Sequence, residues 1–307
     1  MAEQRVIGVD LGGTKILAGI VDRAGDVVRR RETPTPTSSQ AELLEALETA
    51  VDELLEDDVG ALGFGIPSTI DQRSGRAVSS VNIPLNDLDL RSWMRDRFHL
   101  PVGIDNDANA ATLAEWAHGA GRGTNHMVML TLGTGVGGGL ILGGKPYRGA
   151  IGAGAELGHM VIDIDGPPCQ GSCTGRGHLE SLASGRAATL AAQALFGPAV
   201  DAHRLVRLAQ EGDASAVDLL ATLGHRLGAA IGSLVNIFNP ELVVIGGGFS
   251  AAGDFLLDPA REALKREALH PGREFVRVVR AELGTAAGLV GAGLVAFEAL
   301  DAVEAPA

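Results

Sequence analysis

A unit made of a strand, a glycine-rich turn and a second strand occurs twice in this chain, which limits the folds available to it. In the first copy, RVIGVD at 5–10 predicts a buried strand, LGGTK a turn and Ile16–Val21 the returning strand. The motif Asp10–Thr14 aligns with Thr131–Gly135 in the second copy. Such a repeat predicts two similar α/β domains that face each other across a ligand cleft. A chance likeness of two glycine turns is the alternative.

The rest of the chain alternates between predicted helices and strands, as expected of an α/β protein. The predicted helices are Ser38–Leu55, Ala108–Trp116, Leu179–Ala194, Ala214–Val235, Phe255–Glu267 and Ala286–Leu300. The further predicted strands are Val27–Glu32, Ala61–Ile66, Pro101–Ile104, Met127–Leu132, Leu140–Leu142, Glu241–Ile245 and Val276–Ala281. Because glycines cluster at Gly119–Gly123, we expect a hinge there. We therefore expect one domain over 1–118, completed by the C-terminal segment 286–307, and a second over 119–285.

Composition argues against several classes of protein. The net charge is −13 and no long basic cluster occurs, whereas nucleic-acid binding depends on Lys and Arg at phosphates. No run approaches ~18 uninterrupted apolar residues, so no membrane span is expected. The N-terminal MAEQRVIGVD lacks the features of a secretory signal, and two cysteines make no disulfide framework. The cytoplasm is the expected compartment.

Both glycine turns have features of phosphate-binding sites. In the first, Gly12 and Gly13 let backbone amides approach an anion closely, and Thr14 adds a hydroxyl donor. Asp10, at the strand end, can hold Mg²⁺ through water, and Mg²⁺ neutralises transferring phosphates. An ordinary hairpin turn with incidental glycines is the competing interpretation.

Two familiar nucleotide motifs are rejected for the second turn. Gly133–Gly138 fits the dinucleotide-binding pattern G-x-G-x-x-G, but that pattern must open a helix, and more glycines and a proline follow here. Gly139–Lys145 nearly matches a P-loop, yet Pro146 replaces the Ser or Thr that would hold magnesium. A backbone phosphate turn, like the first, remains.

One stretch gathers residues that favour a metal. Cys169 and Cys173 stand close together, His159 precedes them, and His178 follows them. Thiolate and imidazole are the ligands that tetrahedral zinc prefers, and the glycine- and proline-rich sequence between them suits a loop around a metal. Four protein ligands would close the coordination sphere, so the predicted zinc is structural. Ordinary buried thiols are the alternative.

Polar residues near this loop and at strand ends are further candidates. The predicted zinc loop would bring Glu156 and Glu180 together, where they could accept hydrogen bonds from a polyol. Asp105–Asn109 lies where a strand leads into a helix, which favours an N-cap but also stabilises an ionised Asp able to accept a hydroxyl proton. Gly246–Gly248 could lie against an adenine, although an ordinary crossover explains it equally well.

Together, DLGGTK at Asp10–Lys15, LGTGVGGG at Leu132–Gly139 and ELGH at Glu156–His159 resemble the ROK family of sugar kinases. The resemblance runs from about Val6 to Gly293. It implies the actin-like ATPase (ribonuclease H-like) α/β fold, ATP between the repeated turns, sugar in the cleft, and a homodimer. The implied reaction is the ATP- and Mg²⁺-dependent phosphorylation of D-glucose on its 6-hydroxyl group.

The resemblance also implies a role for individual residues, with Asp107 as the catalytic base. The implied sugar-binding residues are Gly65, Asn82, Asn106, Asp107, Glu156, His159 and Glu180. The implied ATP-binding residues are Asp10, Gly12, Gly13, Thr14, Lys15, Gly133, Thr134, Gly135, Gly246, Gly247 and Gly248.

The metal motif departs from the family pattern, which is a histidine followed by C-x-C-G-x-x-G-C-x-E. In this chain the two cysteines, Cys169 and Cys173, are separated by three residues, and His178 stands where the family pattern has its third cysteine. The implied structural Zn²⁺ site is therefore His159, Cys169, Cys173 and His178.

Several functions stay open at this stage. The sugar could be mannose, fructose or an N-acetylhexosamine, the donor could be polyphosphate, and the protein could be a sugar sensor without activity. The family's transcriptional repressors carry a helix-turn-helix domain before the first strand. Because the first strand is expected from residue 5 and the chain is acidic, a repressor is disfavoured.

Overall fold

The structure is a computed structural model that describes residues 4–80, 83–171 and 173–304. Its strands are β1 (Arg5–Leu11), β2 (Lys15–Val21), β3 (Val27–Pro34), β4 (Val59–Ile66), β5 (Ser68–Asp71), β6 (Arg76–Ser80), β7 (Leu88–Asp89), β8 (Val102–Asn106), β9 (Met127–Leu132), β10 (Val136–Ile141), β11 (Leu242–Gly246) and β12 (Arg277–Arg280). Its α-helices are α1 (Gln40–Asp52), α2 (Leu90–Phe98), α3 (Asp107–His118), α4 (Leu179–Ala183), α5 (Gly185–Phe196), α6 (Ala202–Gln210), α7 (Ala214–Phe238), α8 (Asp254–Glu267), α9 (Gly272–Phe275) and α10 (Ala287–Glu304).

Contacts within the chain divide it into two units. Unit 1 comprises Met1–Arg122, Pro146–Ala155 and Thr285–Ala307, and unit 2 comprises Gly123–Lys145 and Glu156–Gly284. The first boundary falls inside the predicted hinge. Pro146–Ala155, which the sequence placed in the second domain, belongs to unit 1, because its Arg148 side chain and its Ile151 carbonyl bond to residues of that unit.

The same strand arrangement occurs in both units. In unit 1, β1 pairs antiparallel with β2 and parallel with β4, and β4 pairs parallel with β8. In unit 2, β9 pairs antiparallel with β10 and parallel with β11, which pairs parallel with β12. The order β2-β1-β4-β8 therefore corresponds to β10-β9-β11-β12. This shared topology confirms the predicted pair of similar α/β domains.

A row of glycines crosses the sheet of unit 1. Gly19, Gly8, Gly63 and Gly103 are neighbours in register on β2, β1, β4 and β8. A Cβ atom on Gly63 would lie 2.0 Å from the carbonyl oxygen of Ala292 on α10. The row therefore lets the backbone of α10 lie directly on the sheet, closer than larger side chains allow.

Helix α10 has the length and composition of a membrane-spanning helix, but it is packed inside unit 1. Just over half of its apolar window, 56%, is buried, and the helix contacts α3, β1, β4 and β8. Its buried side chains Leu289, Phe297 and Leu300 form a core cluster with Val6 of β1. The helix is therefore a core element of this unit.

In unit 2, glycines serve helix packing instead of helix–sheet packing. Gly224, Gly228 and Gly232 recur every four residues on α7 and so share one face. A Cβ on Gly228 would lie 2.2 Å from the carbonyl oxygen of Ala260 on α8. Helices α7 and α8 therefore meet at close range along this face.

The sequence misjudged some elements near the candidate site. The predicted helix Leu179–Ala194 is broken at Ser184, whose Oγ accepts a hydrogen bond from the Ala187 amide at 3.1 Å and caps α5. The second returning strand was predicted to begin at Leu140. It begins at Val136, because Gly137–Gly139 pair with β9 in regular register. The small sheet β5-β6-β7 and the helices α2 and α6 were not predicted.

Candidate functional site

The first glycine turn joins β1 to β2. The Gly12 amide donates to the Lys15 carbonyl at 2.9 Å, which closes the turn. Thr35, just after β3, steadies it from outside, because its Oγ1 donates to the Gly12 carbonyl at 2.7 Å and its amide to the Thr14 carbonyl at 3.1 Å. Lys15 extends away to pair with Glu32 at 2.9 Å. The turn is thus fixed while its tip stays accessible to a ligand.

Three neighbouring strands bring polar candidates to one edge of the sheet in unit 1. Asp10 on β1 is in register with Gly65 on β4, and Gly65 is in register with Asp105 on β8. A Cβ on Gly65 would meet the Cα of Asp107 at 3.7 Å. Since ligands in parallel α/β sheets bind at the carboxyl ends of the strands, this edge is the expected place for a site.

Asp10 is a carboxylic acid with perturbed acidity. Burial first, and then the nearby Asp107 carboxylate, raise its pKa from 3.8 to about 6, while Lys15 partly opposes them. The carboxylate also lies against the start of α10, where a Cβ on Gly288 would be 2.2 Å from Asp10 Oδ2. Two neighbouring carboxylates in a buried setting are suited to a divalent cation.

Asn106 and Asp107 lie at the junction of β8 and α3, and their side chains have different positions relative to the helix cap. Asn106 is the N-cap of α3, since its Oδ1 accepts from the amides of Ala108 at 2.9 Å and Asn109 at 3.3 Å. Asp107 is the first residue of the helix, and its Oδ1 also accepts from the Ala108 amide at 2.9 Å. Asn106 therefore supplies the cap, and the Asp107 carboxylate lies at the helix N-terminus, where negative charge is favoured. The predicted Asn82 lies outside the described residues.

The second glycine turn, in unit 2, is held by a different set of partners. The Gly133 amide donates to the Gly135 carbonyl at 3.0 Å, and the Gly185 amide donates to the Gly133 carbonyl at 2.8 Å. A Cβ on Gly135 would lie 2.4 Å from Glu180 Oε2, which also accepts from the Val136 amide at 3.4 Å. The turn is therefore supported by Glu180 and by the start of α5.

The four predicted metal ligands lie together. Their donor atoms all lie within 4.8 Å of one another. Cys169 Sγ is 3.0 Å from His178 Nδ1 and 3.6 Å from His159 Nδ1, and Cys173 Sγ is 3.7 Å from His178 Nδ1. With Zn–S near 2.3 Å and Zn–N near 2.0–2.1 Å, tetrahedral donors lie roughly 3.3–3.8 Å apart. The set therefore fits zinc. Because His159 faces the cluster through Nδ1, its Nε2 points away and can meet another ligand.

Glu180 connects the metal cluster with the second turn. The Cys169 thiol donates to Glu180 Oε1 at 3.2 Å. Burial, with the Glu180 carboxylate adding to it, raises the pKa of the Cys169 thiol to about 12, so this thiol keeps its proton until a metal displaces it. Gln170 reinforces the connection, since its Nε2 donates to the Thr134 carbonyl and to Ser184 Oγ, each at 3.4 Å.

Glu156 lies close to Glu180 and His159. Although Glu156 reaches solvent, desolvation of its carboxyl group raises its pKa; His159 opposes this shift and Glu180 adds to it. The three side chains therefore lie within electrostatic range of one another, and unit 2 brings together the candidate sugar-binding residues that it contains.

A cavity of about 710 Å³ opens in unit 2 beside the second turn. Apolar side chains Val206 and Phe249 form part of its wall, and the cationic side chains of Arg186 and Arg207 form another part, next to Thr134. Its volume is that of a pocket for a small organic ligand, and this lining suits a molecule with a flat apolar part and an anionic part.

The sequence identified only part of this cavity. Gly248 lines it, whereas Gly246 and Gly247 pack against β9, where added Cβ atoms would lie 2.9 Å from Met129 and 2.4 Å from the Leu132 carbonyl oxygen. The wall residues on α5 and α6, including Arg186 and Arg207, were missed. A signal for α6 was present, because Asp201 precedes apolar residues at helical spacing, but nothing in the sequence directs Arg186 or Arg207 towards a cavity.

The fold and the two turns define a two-unit α/β protein of the actin-like ATPase type. Residues 6–299 match the ROK family. The chain is 35% identical to a glucokinase of Streptomyces coelicolor, over 95% of this chain and 97% of that protein. The structure resembles a ROK family glucokinase from Streptomyces griseus in complex with glucose and AMPPNP (TM-score 0.83, 35% identity, 96% and 99% of the two chains).

It also resembles a ROK hexokinase from Thermus thermophilus, with a TM-score of 0.82 and 38% identity over 98% of this chain and 100% of that one. The chain belongs to the ROK family, and the predicted family and fold are confirmed.

Proposed function

We propose that this protein is an ATP-dependent glucokinase that transfers the γ-phosphoryl group of ATP to the 6-hydroxyl group of D-glucose. The observation that carries the proposal is the pair of neighbouring carboxylates, Asp10 and Asp107, at the carboxyl ends of the strands beside a glycine turn. The similarity to glucokinases of two Streptomyces species supports glucose as the substrate.

In this mechanism Asp107 accepts the proton of the sugar hydroxyl as the hydroxyl oxygen bonds to the γ-phosphorus of ATP. The bond between that phosphorus and the β–γ bridging oxygen breaks, and ADP leaves. Asp107 is the first residue of α3, where the helix dipole favours negative charge, as a proton acceptor requires. The amides of Gly13 and Thr14 would hold transferring phosphate oxygens, while the Gly12 amide keeps the turn closed through its bond to the Lys15 carbonyl. Asp10 would hold Mg²⁺ through water, and bound Mg²⁺ would neutralise phosphate charge.

The cavity in unit 2 favours a nucleotide as the phosphoryl donor. Phe249 and Val206 offer apolar surface to an adenine, and Arg186 lies near the second turn, where phosphates are expected. Polyphosphate has no apolar part, so an apolar wall of this size would be unused. Gly133, Thr134, Gly135 and Gly248 are the residues we assign to this nucleotide.

We assign the sugar hydroxyl groups to Asn106, Asp107, Glu156, His159 and Glu180. Carboxylates and imidazole nitrogen provide the acceptors that a polyol needs. We also propose a cytoplasmic homodimer. A kinase for another hexose is the second candidate, since discrimination among hexoses depends on the placement of one hydroxyl or amide group.

The test is ADP formation with Mg·ATP, measured for glucose, mannose, fructose, N-acetylglucosamine and N-acetylmannosamine. We expect glucose to have the highest kcat/KM. Faster turnover of another sugar would transfer the assignment to that sugar. Sugar binding without turnover of any of the five would mean that the protein is a sensor.

The four-ligand cluster is proposed to hold structural zinc, which fixes His159 and Glu180 for the sugar. Cys173→Ser should lose the metal, as measured by elemental analysis, and should weaken glucose binding about 10–100-fold by calorimetry. Ser233→Ala, exposed on α7 and outside the ligand set, is the matched control. Unchanged glucose affinity in a demonstrably metal-free protein would rule out this role.

A further inference from the structure

Asp105 is a buried carboxylate that the proposed mechanism does not use. It is 1% exposed, two residues before Asp107. Its Oδ1 accepts from the Asn106 amide at 2.8 Å, from Asn109 Nδ2 at 3.1 Å and from Gln72 Nε2 at 3.2 Å. Three donors at the junction of β8 and α3, where Asp107 lies, therefore bond to the same Asp105 oxygen.

Arg148 supplies the positive charge that this buried carboxylate requires. Its Nε donates to Asp105 Oδ2, and its Nη2 donates to Glu298 Oε2 on α10 at 2.7 Å. A carboxylate removed from water is costly unless it is paired and hydrogen-bonded. With Oδ2 held by Arg148, Oδ1 is fixed towards the three donors at the junction.

Arg148 belongs to the inserted segment Pro146–Ala155, which joins unit 1 although the residues on both sides of it belong to unit 2. A second attachment holds this segment, since the backbone amide of Gln72 donates to the Ile151 carbonyl at 2.8 Å. Gln72 thus contacts both the inserted segment and Asp105. The bonds from Arg148 to Asp105, from Gln72 to Asp105 and from Gln72 to Ile151 therefore form a closed ring within unit 1. The chain leaves the segment directly into Glu156.

We propose that Arg148 is a positioning residue for Asp107, acting through Asp105. This inference rests on the proposed kinase function. Asp105 fixes the Asn106 amide and the Asn109 side chain, and Asn106 in turn caps the helix whose first residue is Asp107. Without Arg148 the Asp105 carboxylate loses its partner and reorients, and Asp107 loses its alignment with the sugar hydroxyl. Small misplacements of a reacting group cost up to about 100-fold in rate.

The experiment compares Arg148→Met, Arg148→Lys and the double variant Asp105→Asn/Arg148→Met with the unsubstituted protein. Arg76→Met, which breaks an exposed ion pair with Asp87 in unit 1, is the matched control. We measure kcat, the KM for glucose, thermal unfolding, and hydrogen exchange in peptides that cover 102–112.

Arg148→Met should lower kcat about 10–100-fold and change KM less than about threefold, with faster exchange confined to 102–112. Arg148→Lys, which keeps the charge but not the planar donor geometry, should be intermediate. The double variant should recover much of kcat, because the amide oxygen that Asp105→Asn introduces can accept the same hydrogen bonds without leaving an unpaired buried charge. Arg76→Met should match the unsubstituted protein.

Three results would overturn the proposal: an unchanged kcat in Arg148→Met, a loss of kcat no larger than the loss of folded protein, or a raised KM with normal kcat. If the unsubstituted protein phosphorylates no hexose, the kinase function fails separately. Exchange at 102–112 then decides whether Arg148 holds the junction, and unchanged exchange would refute it.

Discussion

The two glycine turns share a strand arrangement and differ in what surrounds them. The first follows the acid Asp10, ends at Lys15, and is steadied by Thr35 of its own unit. The second has Thr131 and Val136 at the aligned positions, and its neighbours are Glu180 of α4 and Gln170 of the metal loop, the segment 159–178 that carries the four candidate ligands. The difference supports the proposal that unit 1 provides the two carboxylates of the reaction, Asp10 and Asp107. In unit 2, an added loop holds the turn beside a ligand cavity.

The strongest test of this division is Asp107→Asn. We expect kcat to fall about 10²–10⁴-fold, since the amide cannot accept the hydroxyl proton. Glucose affinity by calorimetry should stay near that of the unsubstituted protein, because Asn keeps the hydrogen-bonding shape. Appreciable residual turnover would remove Asp107 as the proton acceptor.

The glycine row offers a test of stability. Gly63→Ala places a Cβ 2.0 Å from the Ala292 carbonyl oxygen, so α10 must shift, and we expect the free energy of unfolding to fall by about 3 kcal/mol. Gly133→Ala is the matched control, because its Cβ meets nothing within 4 Å. Urea unfolding of both variants measures the contrast, and equal stabilities would contradict the close packing of α10.

The raised pKa of Asp10 predicts a pH-dependent stability. Folding raises this pKa from 3.8 to about 6, so the folded protein binds a proton more tightly, and stability is lost as pH rises from about 4 to about 6. Relative to Asp10→Asn, the metal-free protein should lose up to about 3 kcal/mol across this window. Parallel unfolding curves at pH 4 and pH 7.5 measure it; a constant difference between the two proteins would show that Asp10 is not perturbed.

The smallest expected effect belongs to Gln170, which lies between the two cysteines. Gln170→Ala removes three long hydrogen bonds, to the carbonyls of Thr134 and Glu180 and to Ser184 Oγ, each worth about 0.5–1 kcal/mol or less. Nucleotide affinity should fall about two- to fivefold while glucose affinity changes less. Gln193→Ala on α5, outside the turn, is the control, and equal nucleotide affinities in both variants would mean that the metal loop does not support the second turn.

The motifs DLGGTK, LGTGVGGG and ELGH were enough to predict the family by resemblance, the repeated turns predicted the pair of similar domains, and the cysteine–histidine spacing predicted that the four candidate metal ligands cluster. These signals are local, so they survive in a single sequence. The contact between Arg148 and Asp105 gives no such signal, because long-range ion pairs follow no periodicity. For this reason the sequence could not place Pro146–Ala155 in unit 1.

The cavity shows a second limit. Runs of glycine predict that another group approaches the backbone closely, but they do not show whether that group is a neighbouring strand or a ligand. At Gly246 and Gly247 the close neighbour is β9, and at Gly248 it is the cavity. Arg186 and Arg207 are ordinary helix-surface residues by sequence, and only the packing of α5 and α6 brings both to one wall.

The position of α10 has a consequence for how the chain folds during its synthesis. The helix that covers the glycine row follows all of unit 2 in the sequence. At about 5–20 residues per second, a ribosome needs roughly 10–30 s to add Gly123–Gly284 after the first sheet has emerged. During that interval Val6, Leu17 and Ala61 lack the helix that buries them. Unit 2 can therefore finish folding before α10, the last helix of unit 1, has been synthesised.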